Sequence, residues 1–214
     1  MTDRPNRTPR AALLFLILCT AGPGCASGPK VQVASDLSTP KAASLTFLRA
    51  IAAGDVRTAK AACTGTPQEK KWVDAMSSFL TGLRSFDEAI VNRFGQEAVQ
   101  ADTQLKQALL ELSDDVIQHV DDAIVHETGE TASVEPAAAG VRLRNRPPIY
   151  LRNDKGAWKV DLAATAKGDK RFDPGVQEKY ASAGDALHDA ARRVRAGRYK
   201  TLTEAQRDAD GRFP

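Results

Sequence analysis

Side chains able to do chemistry are few in this chain, and they are scattered. None of the three histidines, His119, His126 and His188, has another at i+3 or i+4, so no helix face presents the paired imidazoles that hold a metal ion. No Gly-rich loop follows a strand to cradle a phosphate, and no serine stands in a nucleophile elbow. Two acid pairs, Asp114-Asp115 and Asp121-Asp122, are candidates for acid and base work, which needs one carboxyl in an apolar cavity with a raised pKa. Such pairs more commonly solvate helix faces and ends. The sequence therefore predicts no metal, no cofactor and no catalytic set.

Two basic groups remain. Arg142, Arg144 and Arg146 alternate with Val141 and Leu143, so a strand would turn all three to one side and make a candidate anion site for a carboxylate or phosphate. The plainer reading is a charged edge strand that discourages pairing with other chains. Arg192, Arg193, Arg195, Arg198 and Lys200 gather where a helix should end, a position that suits the negative end of its dipole; an anionic membrane or polymer surface is the other reading.

The remaining reactive side chain is a thiol, and its setting is informative. Arg4, Arg7 and Arg10 precede an apolar run from Ala11 to Leu18, and Gly22-Pro23-Gly24-Cys25 follows. A basic start, a short apolar segment and small residues read as an export signal, and the run is too short for a membrane-spanning helix. Cys25 behind Gly24 resembles the acceptor of a bacterial lipoprotein, whose thiol receives a diacylglycerol; Gly22 and Pro23 stand where Leu and a small residue are usual. Two or three acyl chains, at about 0.8 kcal/mol per buried methylene, would hold the protein on a membrane. Ordinary cleavage after Ala21 or Ala26 is the alternative and gives a soluble periplasmic or secreted chain. Without acylation a Cys25–Cys63 disulfide is also open.

Composition fits one globular domain, with 42% hydrophobic and 27% charged residues in 214. The net charge of +3 belongs mostly to the signal: without residues 1–24, 30 basic residues become 27 and 27 acidic become 26, or +1. That balance argues against a nucleic-acid partner, which needs concentrated Lys and Arg.

What must position these groups reads as helices, then strands, then a helix. Residues 1–24 are the signal and 25–38 a flexible, lipid-anchored linker; the domain spans 39–196, and 197–214 is a tail with a short helix opened by Thr201 and Glu204 as a capping box. Thr39-Pro40 starts a first helix, Gly54 ends it and Asp55 caps a second. After Thr66-Pro67, Trp72, Met76, Phe79, Leu83, Phe86, Ile90 and Phe94 recur at alternating four and three, the stripe of a long amphipathic helix. A further helix through Leu105, Leu109, Leu112 and Val116 would complete a helical hairpin with it. AIVHE and TASVE, then PIYLRN and AWKVDL, read as two β-hairpins turning at Gly129 and at Asp154-Lys155-Gly156, with a further strand over VRLRNR between them. Asp173-Pro174 starts a final helix carrying Val176, Tyr180, Ala183, Leu187 and Val194, closed by Gly197.

The opening helices with Ala53-Gly54-Asp55 at their junction, followed late by Gly156, Trp158, Lys159 and Val160, resemble the NTF2-like superfamily. The likeness is to its exported bacterial lipoproteins of unassigned activity and to SnoaL-like domains. It implies an α+β fold in which N-terminal helices pack on a curved antiparallel sheet, forming a cone, here with a long helical insertion from Thr66 to about Val120 and a C-terminal helix. Trp72, Phe79, Phe86 and Trp158 are then either core or the walls of the cone's pocket. The resemblance implies a non-enzymatic envelope lipoprotein, facing the periplasm or cell exterior, that binds a small molecule or protein partner; a homodimer through the outer sheet face is a further expectation. The alternatives are a cofactor-independent isomerase, cyclase or hydrolase using the cone, and a structural envelope component presenting its helices.

Overall fold

A computed structural model describes residues 32–96, 114–138, 141–143, 147–167 and 172–210, and the account below concerns those residues. They form an α+β fold of seven helices and a curved, open, mostly antiparallel sheet.

The local start and stop signals act where the sequence puts them. Thr39 accepts a hydrogen bond from the Ala42 N–H to begin α1 (Pro40–Ala53), and Gly54, at φ 73°, ends it. A Cβ on Gly54 would lie 2.7 Å from Thr81 Cγ2, so both backbone and space demand glycine. Asp55 caps α2 (Val56–Ala61), and Thr66 with Glu69 forms a reciprocal capping box on α3 (Pro67–Phe94). The stripe on α3 is buried from Trp72 through Ile90, with Phe94 partly buried at its end.

Among the described residues, a helix from late in the chain packs along α3. Leu105, Leu109 and Leu112 lie outside the described residues, as does the Val116 side chain of α4 (Asp114–Asp121). Along α3 lies α5's successor in the chain, the helix α6 (Pro174–Arg195); α5 itself is a single turn, Leu162–Ala166. Contacts between α3 and α6 rise together in number: Trp72 with Phe172 just ahead of α6, Phe79 with Tyr180, Gly82 with Gly184, Ser85 with Arg195. The two helices are therefore parallel. A Cβ on Gly184 would meet Ser78 Oγ at 2.6 Å and the backbone of Ser78 and Phe79 at 2.7 and 2.8 Å; one on Gly82 would meet the Gly184 carbonyl at 2.7 Å. Ala75, Gly82 and Ala89, spaced by seven, give α3 a second buried edge of small side chains.

The sheet runs β1-β7-β6-β3-β2. Both expected hairpins form: β2 (Ile124–Thr128) with β3 (Thr131–Glu135), and β6 (Ile149–Asp154) with β7 (Ala157–Asp161). Lys155 and Gly156 both take positive φ, as a two-residue hairpin turn requires. β3 pairs with β6, and the short β1 (Cys63–Thr64) adds in parallel to β7. Alternation then divides the side chains. Ala132, Val134, Leu151, Trp158 and Val160 are buried toward the helices, while Thr131, Ser133, Tyr150 and Arg152 face the other way.

Both ends of the described chain are docked. Val33 N–H donates to Asp55 Oδ2, Asp36 N–H donates to Thr46 Oγ1, and Trp158 N–H donates to the Leu37 carbonyl, beside the bond from Val160 N–H to Ala62. Residues 33–38 thus cover the β7 edge next to β1 rather than forming part of a free linker. At the other end α7 (Leu202–Asp210) buries Ala205 and Ala209, and Thr201 caps it. Glu204 reaches back to the Lys200 N–H, one residue earlier than a strict capping box.

Candidate functional site

Of the four aromatic residues that might have walled a pocket, Trp72, Phe79, Phe86 and Trp158, none is more than 9% exposed. Trp72 lies stacked between Phe47 and Phe172, with ring centroids 6.4 and 4.5 Å away, and Phe79 meets Tyr180 edge-on at 5.1 Å. These rings fill the space between sheet and helices as core. Among the described residues, Trp72 Nε1 and Asp87 Oδ1 are buried atoms without a hydrogen-bond partner. Burial, with Glu88 adjacent, raises the Asp87 carboxyl above its usual range.

A recess among the described residues lies on the opposite face of the sheet. It is about 330 Å³, partly open among the described residues, and runs across β2, β3 and β6 to a wall made by α5. Register explains its lining. His126 sits opposite Ser133 and Thr128 opposite Thr131 on the β2–β3 pair; Ser133 and Thr131 in turn sit opposite Tyr150 and Arg152 on β6. Asp161 closes the far side with two tasks: Oδ1 accepts from the Ala164 N–H to cap α5, and Oδ2 accepts from Arg152 at 3.1 Å. Thr165 Oγ1 accepts from the Tyr150 N–H, holding α5 against β6 so that Ala164 forms the wall. Tyr150 is 41% exposed and takes no part in ring stacking among the described residues.

Of the sequence-derived anion site, Arg142 is described, on β5 (Val141–Arg142), which pairs with β4 (Ala137–Ala138) apart from the main sheet. It lies 3.4 Å from Glu135. Arg144 and Arg146, like Cys25, fall outside the described residues. Three of the basic group at the end of α6 are engaged internally, while Arg198 and Lys200 are exposed: Arg192 pairs with Asp189, Arg193 joins Asp189 and Asp208, and Arg195 donates to Ser85. Tyr199 donates to the same Asp208 at 2.5 Å, tying α7 to α6. The Asp114 and Asp115 side chains are outside the description, and Asp121 and Asp122 are exposed at the end of α4. His188 contacts Thr81 Oγ1 at 3.3 Å in the helix seam, where burial lowers its pKa.

One trio on the recess side invites comparison with a hydrolase. Ser133 faces His126, and His126 Nε2 lies 3.9 Å from Glu135. That separation exceeds hydrogen-bond reach, no bond joins Ser133 to His126 among the described residues, and the His126 side chain is 62% exposed. Cys63 is a buried free thiol whose pKa burial pushes up, so it is a poor nucleophile where it stands. Among the described residues no three His, Cys, Asp or Glu side chains converge as metal ligands. None of their helices is long and apolar enough to cross a membrane.

The sequence reading passed over Tyr150, Arg152 and Asp161 as site residues. The signal was present: they are the polar positions of the second hairpin, opposite Leu151 and Val160. Compared with known proteins, the chain matches no family model, no curated protein and no solved structure.

Proposed function

We propose that this chain is an exported, lipid-anchored protein of the cell envelope, built on an NTF2-like domain, that binds its ligand without transforming it. The observation that carries the binding half of this reading is the state of the recess. Its one acid, Asp161, is already bonded to Arg152 and to the α5 backbone, so it is a fixed acceptor rather than an acid or base poised to move a proton. The core side of the sheet, where an NTF2-like enzyme would work, is packed with Phe47, Trp72, Phe86 and Trp158. The order of elements, with a parallel β1 after the helix pair and two late hairpins, supports the NTF2-like assignment. The anchoring half rests on the basic start, the apolar run and Gly24-Cys25.

Intact mass and membrane partitioning of the native protein beside a Cys25→Ala variant test the anchor. An acylated mass, with release of the variant into the soluble fraction, is the expected result; an unmodified mature chain starting at Gly22 or Ser27 would refute the anchor. The hydrolase alternative would need His126 and Glu135, now 3.9 Å apart, to close into hydrogen-bond contact beside Ser133. Ester turnover by the purified chain that disappears in Ser133→Ala would establish it over the binding reading.

A further inference from the structure

We infer that the recess over β2, β3 and β6 is a binding site for an uncharged oligosaccharide. The inference deepens the binding reading above and depends on it. Charge narrows the ligand first. Among the described residues the ionic groups of the lining are Arg152 and Asp161, which neutralise each other across 3.1 Å, so these residues offer no uncompensated cation for a phosphate or carboxylate and no free anion for an amine. His126 and the Tyr150 phenol are the other ionisable side chains among the described lining residues. A bound molecule must instead satisfy donors and acceptors side by side.

Sugars match this arrangement because each hydroxyl both donates and accepts, and neighbouring hydroxyls stand at adjacent carbons. Arg152 has guanidinium N–H groups beyond the one given to Asp161, and the Asp161 carboxylate has lone pairs beyond those it uses. Across the recess, Thr128, Thr131 and Ser133 set hydroxyls along two strands. Tyr150 adds an exposed ring against which the C–H face of a pyranose packs, its phenol remaining wet. The volume, about 330 Å³, is at the lower end for small-ligand sites, and its partial openness leaves room for a bound sugar to extend beyond it.

A second copy of the protein fits this face less well. Apart from Tyr150 and the buried Leu151, its described lining residues are Thr, Ser, Ala, His, Arg and Asp, whereas permanent homodimer interfaces are rich in large apolar groups.

The test is titration of the purified full chain, followed by NMR, with chitotetraose, cellotetraose and maltotetraose, and with inorganic phosphate as the charged probe. Saturable binding of at least one tetrasaccharide is expected, weakened at least tenfold by Tyr150→Ala and by Arg152→Ala, and unchanged by Arg142→Ala outside the recess. Because Arg152→Ala frees Asp161 at the α5 cap, Arg152→Lys is measured beside it, and thermal melts of all variants separate lost binding from lost folding. Binding of none of the three sugars, binding indifferent to Tyr150→Ala, or saturable binding of phosphate alone would overturn the site. So would a dimer in sedimentation equilibrium that Tyr150→Ala dissociates, which would make this face an interface. Sugar binding by a chain that proves unacylated would refute the anchor and leave the site standing.

Discussion

The seam between α3 and α6 and the outer face of the sheet are built to opposite specifications. In the seam, two parallel helices approach so closely at Gly82 and Gly184 that a single methyl group has no room. On the sheet face, Thr131 and Tyr150 are exposed and Ser133 is half-buried, all three lining the recess. Stability is concentrated in the first and ligand chemistry, by our proposal, in the second. Changes of the same size should therefore have very different consequences in the two places.

The largest effect is expected beside the seam. Phe86, 1% exposed, loses its whole ring in Phe86→Ala, and chemical denaturation should show a loss of about 3–5 kcal/mol. Gly184→Ala adds one methyl where 2.6–2.8 Å is available, and should cost roughly 1–3 kcal/mol by the same measurement. A wild-type Gly184→Ala protein would mean that the helices can separate freely, and the contrast with the sheet would fail. A smaller effect of opposite sign is expected at Asp87, also on α3. Its carboxyl is raised by burial, so it favours the folded state at low pH, and that contribution is lost as pH rises through the raised value. Asp87→Asn should melt higher than wild type at neutral pH, with the difference vanishing near about pH 3, where both side chains are neutral. Smallest of all, Thr131→Ala and Ser133→Ala on the open face should shift stability by no more than about 0.5 kcal/mol.

Elements whose limits are set by neighbouring residues were legible in the sequence. Thr39-Pro40, Gly54-Asp55, Thr66-Pro67 and the Lys155-Gly156 turn each act through bonds spanning a few residues, and each places its helix or hairpin within a residue or so of expectation. Pairings between distant elements were not. The α3 stripe says only that something apolar must cover it; α6 lies along it because Ala75, Gly82 and Ala89 admit a close neighbour, and small residues at a seven-residue interval carry little hydrophobic signal. β1 is two residues long and owes its strand to the β7 edge. Residues 33–38 lack periodicity because their order comes from Asp55, Thr46 and Trp158, none of them adjacent in sequence. The recess was missed for a related reason. Arg152 and Asp161 meet only when β6 and β7 pair in register, whereas the Arg142, Arg144 and Arg146 run attracts notice in one dimension.

The bond from Val33 to Asp55 also sets a distance scale. Val33 is eight residue steps along the chain from Cys25, and a fully extended chain of that length spans at most about 28 Å. Under the proposed anchoring, the junction of α1 and α2 is leashed within that radius of the bilayer surface. The domain then samples a layer barely thicker than itself, and what it captures must be found close to the membrane that holds it.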